Sequence, residues 1–199
     1  MMEERRISEH ESLHLIQQMI QVAKEDHREN GEGWLLWGWL LFLASTISAV
    51  LIYMHVEGVF SWVWTGTLVV GIALYLFSRQ KRRNEEVKTY VQELLDRLGT
   101  GFFISLFAVV AASAISKQGF AFGYFYILYA LWMYIYGSAI RFRPLIIGAY
   151  INWAAAMAIF LLADFGLIMI VSAVAVLFGY LVPGYILRAE YRKKVKHTN

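Results

Sequence analysis

Five residues near the N-terminus, His10-Glu11-Ser12-Leu13-His14, match H-E-x-x-H. In that pattern two histidines one helical turn apart hold zinc, and the glutamate between them activates a water. His10 and His14 are therefore the candidate metal ligands. Other features of the segment compete with this chemistry. Only nine residues precede the pattern, too few for a substrate-binding strand, and Ser8 with Glu11 forms a capping box that already employs the glutamate. Neither Glu25 nor His27 stands at a diagnostic spacing for a third ligand. The match is read as incidental: no metal, cofactor or catalytic activity is expected, and a zinc metallopeptidase is the most distant alternative.

Other chemistry is scarce. Without cysteine there is no thiolate nucleophile, no disulfide framework and no Cys-based metal site. The long apolar runs hold no ionisable residue; His55, Glu57, Lys117 and Asp164 fall at the turns between them. That weighs against a proton-coupled transporter, an intramembrane aspartyl protease and a charge-lined channel. No buried serine has a base beside it in sequence to make it a nucleophile. What remains inside is polar and neutral. Asn152 lies about 12 Å above the inner edge marked by Pro144, at about 1.5 Å per helical residue. Tyr134, Tyr136 and Tyr180 count to a similar depth. Interhelical hydrogen bonds worth about 0.6 to 2 kcal/mol each are the plain reading of these residues. The sharper one is a small pocket open to the inner leaflet, shaped where Pro183-Gly184 breaks the last span. An aromatic stripe, Phe122, Phe125, Tyr129, Trp132 and Tyr136, faces lipid or a neighbouring helix, or else holds a lipid or a drug-like cation.

The elements that must position these residues are membrane helices. Apolar stretches run over 34–54, 60–78, 101–116, 120–140, 144–162 and 165–187. A span needs about 20 apolar residues, and continuous runs without period-two alternation exclude a β-barrel. The expected fold is all-α and polytopic: six transmembrane helices in three hairpins, plus two cytoplasmic amphipathic helices. All but Lys117 of the 18 Lys and Arg residues fall on one side of this pattern. Bases resist translocation, so both termini are expected in the cytoplasm of a bacterial inner membrane. Small residues in 108–114 and 154–158 nominate spans three and five for the interior. Trp34, Trp37, Trp39, Trp62 and Trp64 read as interfacial belts.

The domains are then an amphipathic N-terminal helix within 1–33, a transmembrane unit over 34–187, and a basic tail over 188–199. A second amphipathic helix, 84–98, joins spans two and three. Its apolar stripe includes Val91 and Leu95, and Gly99 stands in the usual stop position. Ile16 and Met19 lie on the stripe of the first helix. The two stripes cover each other or lie on the membrane, or they dock a second copy or a cytoplasmic regulatory protein. Residues 1–33 carry eight acids against four bases, and 188–199 five bases against Glu190. The tail is suited to the first segment or to anionic lipid headgroups. A homo-oligomer is expected, and no direct contact with nucleic acid.

The stretch Ile7-Ser8-Glu9-His10-Glu11-Ser12-Leu13-His14-Leu15-Ile16, with Met19-Ile20, resembles the N-terminal signature of a group of uncharacterised bacterial multi-pass inner-membrane proteins. Leu35-Leu36-Trp37-Gly38-Trp39 and Arg143-Pro144-Leu145-Ile146-Ile147-Gly148 are similar to later parts of that group. The resemblance covers the whole topology. It implies other polar residues at the histidine positions and a small winged-helix regulator as cytoplasmic partner; it implies no activity. The expected function is a non-enzymatic membrane sensor, regulatory or scaffold protein. The alternative is a transporter or channel for a small neutral or lipophilic molecule.

Overall fold

The computed structural model describes residues 31–56, 58–83, 90–116 and 121–198, which are helical apart from short turns. The helices are α1 (Glu32–Tyr53), α2 (Val59–Arg83), α3 (Tyr90–Ser116), α4 (Ala121–Ala139), α5 (Arg143–Leu161) and α6 (Phe165–Val176). A π turn, Leu177–Leu181, then leads into α7 (Val182–Thr198). Four stretches are long and apolar enough to cross a membrane: Glu32–Tyr53, Glu93–Ser113, Arg143–Leu161 and Phe165–Lys193. The other two expected spans fall short of that mark. α2 offers only the shorter apolar run Ser61–Phe77. In α4 the phenol groups of Tyr124, Tyr126, Tyr129, Tyr134 and Tyr136 dilute the hydrophobicity.

At the centre α4 packs along α5 and α1 along α6, with the π turn wedged among α1, α5 and α6. Glycine permits the closest of these approaches. Gly123 lies under the ring of Phe160, and Gly148 meets the backbone carbonyl of Gly179 so directly that a Cβ at 148 would overlap it. Met133, Leu145 and Met169, all wholly buried, fill the space between. Ser45, Ser48 and Ser172, also buried, keep side chains small along α1 and α6, as close helix contacts in membranes favour.

The π turn has a local cause. Pro183 has no N–H for the Gly179 carbonyl, and its ring would strike that carbonyl in a regular α-helix. The chain widens instead, and the Val182 N–H bonds the Leu177 carbonyl five residues back. The break in the last span therefore precedes Pro183-Gly184, which lie within the first turn of α7.

Two expectations about α3 are corrected. Gly99 does not stop a helix: the amphipathic segment and the third apolar stretch form one rod from Tyr90 to Ser116. Nor does this rod belong to the interior, since Ile104, Phe107 and Ile115 are exposed. α3 leans on α4 and α2 on α1, while among the described residues α2 and α3 meet through Tyr75 against Thr100 and Phe103. Among the turn residues, Asp164 has a structural task. Its Oδ1 accepts hydrogen bonds from the N–H groups of Gly166 at 2.7 Å and Leu167 at 3.4 Å, capping α6.

Candidate ligand crevice between α2 and α3

Because α2 and α3 each lean on a different central helix, a crevice of about 810 Å³ opens between them at the end where α1 begins. Its walls come from the start of α1, the end of α2, the start of α3, the end of α4 and the π turn. Aromatic rings line it in an unbroken series. Tyr180 lies 4.9 Å from Trp34 (centroid to centroid), Trp34 5.2 Å from Tyr136, and Tyr136 5.6 Å from Trp132. From Trp132 the series continues to Phe102 at 5.6 Å, to Phe103 at 5.5 Å, and to Trp37 and Tyr75 at 5.8 and 4.0 Å from Phe103. Trp34, Phe102, Tyr136 and Tyr180 are buried and form the floor; Trp37, Tyr75, Phe103 and Trp132 are half-buried.

Two of the facing indoles are seated on glycines. The Trp37 ring lies against Gly71 of α2 so closely that a Cβ there would overlap it, and a Cβ on Gly99 would come within 3.2 Å of Trp132. Glycine in the middle of a helix costs about 1 kcal/mol relative to alanine. At these positions that cost opens room for an indole. Gly99, which reads in sequence as a stop, is such a seat. The two walls are joined by the Tyr75 hydroxyl, 3.2 Å from the Thr100 hydroxyl, and by the Tyr75–Phe103 ring contact. Glu93, Asp96 and Arg97 stand on the α3 rim, with Arg97 paired to Glu93 at 2.6 Å.

The structure separates the residues expected to share an inner-leaflet pocket. Asn152 is buried, and its amide donates to the Gly148 carbonyl at 2.8 Å with the Met133 sulfur at 3.4 Å. It occupies the space a side chain at 179 would need. Tyr134 is on the outer surface, in contact with the rings of Tyr150 and Trp153. Tyr136 and Tyr180 line the crevice instead. Leu95 is 6% exposed and covered by this chain's own core, so it faces the bundle and not a partner. Val91 lies in the first turn of α3. His10, His14, Ile16 and Met19 fall outside the described residues. Of the expected belt, Trp34 and Trp37 are in the core and crevice, while Trp39 and Trp62 are exposed. The aromatic stripe of α4 turns inward, with Tyr129 and Tyr136 buried.

Sequence reasoning passed over Trp37, Gly71, Tyr75, Phe103 and Gly99 as site residues. Only the Trp34/Trp37 pair, one helical turn apart, carries a local signal, and it is shared by interfacial tryptophans. Comparison of the chain with protein-family models, curated proteins and solved structures finds no match.

Proposed function

We propose that this chain is a non-enzymatic, six-span inner-membrane sensor with both termini in the cytoplasm. A small lipophilic molecule fills the crevice between α2 and α3, and its presence is passed to a cytoplasmic partner or second subunit through the polar start of α3 and the basic end of α7. The observation that carries this reading is the crevice itself: two helices with a glycine-seated aromatic lining between them, bridged among the described residues by Tyr75. An occupant would part Tyr75 from Thr100 and Phe103 and free α3 to pivot on α4. Its volume suits a small-molecule site, which spans about 300 to 1,000 Å³. The filled centre around Met133, Leu145 and Met169 supports a sensor over a conduit. Anionic headgroups are the natural neighbours of the Arg188–Lys196 tail.

A covalent occupant tests the reading without knowledge of the natural ligand. The chain has no cysteine, so Thr100→Cys gives one attachment point on the crevice wall. Modification with a triphenylmethyl thiol reagent should alter hydrogen exchange over 90–98 relative to unmodified Thr100→Cys. The same group on Ile115→Cys, an 84% exposed site on the same helix, should not. Identical exchange with the crevice filled and empty would sink the sensor reading.

A further inference from the structure

We propose that the crevice selects a lipophilic cation. This rests on the sensor reading above and adds the charge of the ligand. Aromatic faces carry negative quadrupole charge, and a cation within about 6 Å of a ring centroid is attracted to them, most strongly to tryptophan. Trp37, Tyr75, Phe103 and Trp132 come from four different helices and line one crevice. A ligand seated there meets several rings together.

The placement of the indoles is specific. Gly71 accepts Trp37 at a distance that no Cβ would allow without moving the ring, and a Cβ on Gly99 would crowd Trp132 at 3.2 Å. Among the described residues lining the crevice, the rim carries the carboxylates Glu93 and Asp96 and the base Arg97, an excess of one negative charge. Arg97 is 77% exposed and bound to Glu93, so its guanidinium is engaged at the rim and turned to solvent. The floor is predominantly aromatic, with the Tyr136 and Tyr180 hydroxyls as its side-chain oxygens, and so suits a cation with a hydrophobic body better than a hydrated ion, which would lose most of its water ligands there.

Tetraphenylphosphonium and tetraphenylborate, nearly equal in shape and opposite in charge, test this when each is titrated alone against the purified full chain in neutral detergent. Saturable binding of about one phosphonium per chain is expected, at least tenfold tighter than the borate. Trp37→Leu and Trp132→Leu should each weaken phosphonium binding by about fivefold or more, the range a cation–π contact supplies. Gly99→Leu, which drives the Trp132 indole into the opening, should abolish it. Glu93→Gln with Asp96→Asn alters only the rim and serves as the deciding variant if an indole substitution prevents folding; it should also weaken phosphonium binding and, by the same Coulomb effect, strengthen that of the borate. Equal affinity for the two ions overturns the cation assignment, while the hydrogen-exchange experiment on modified Thr100→Cys still decides the sensor reading. Absence of saturable phosphonium binding, or binding indifferent to every one of these variants, overturns it as well.

Discussion

Asn152 and Gly148 show how much a single position can depend on a residue far away in sequence. Gly148 touches the Gly179 backbone, and the Asn152 amide fills the gap beside it. Each is legible as a small or polar residue in an apolar run, but its partner is not. A Cβ at 148 has rigid backbone on the other side, so Gly148→Ala should destabilise the bundle by about 1 to 3 kcal/mol, as overpacking does. Gly66→Ala is the matching control. Nothing lies within 4 Å of a Cβ there, so the substitution should be neutral or stabilise by up to about 1 kcal/mol through helix propensity. Thermal unfolding of both variants in detergent checks the contrast. Asp164→Ala should cost about 1 kcal/mol from the lost cap of α6 in the same measurement.

The helix α3 is the element in which local pattern and tertiary packing disagree most. Its first turns carry Glu93 and Arg97 on a face opposite Leu95, with Asp96 at the side, and its remainder is largely apolar. That composition shift, with glycine at 99 and 101, reads as two helices. It forms one because Gly99 lies under Trp132 and Leu95 is buried, so packing against α4 carries the helix across the weak point. Gly101→Pro distinguishes the two arrangements. Proline is favourable in the first turn of a new helix but costs about 3 kcal/mol in the middle of a continuous one. A Cβ at 101 meets nothing within 4 Å, so only the backbone is tested. A marked drop in melting temperature is expected for Gly101→Pro and none for Gly101→Ala; a proline variant as stable as the parent would argue for a break.

For the molecule as a whole, the proposed orientation rests on the bases. Cysteines placed at Val56 and Ala163 should react with an impermeant maleimide from outside intact cells, and those at Gln80 and Glu190 only after lysis; the opposite pattern would invert the proposed topology. The all-helical class and the apolar segments were legible in sequence because helix formation in lipid is a local matter: each run satisfies its own backbone, and among the described residues four stretches have the length and hydropathy a bilayer demands. The π turn was half legible, since proline announces a break but not on which side of itself the chain will widen. The crevice was legible only in fragments: Tyr136 and Tyr180 read in sequence as pocket residues and Trp132 as part of a stripe able to hold a cation, but the helices that complete the lining are not marked there. Trp37, Gly71, Gly99 and Trp132 lie on four separate helices, and no local rule pairs an indole with a distant glycine. Seven tryptophans in an apolar chain fit an interfacial belt equally well. Which of them turn inward is set by the helices they pack against, because close packing between spans rewards particular shapes that meet only after the chain has folded.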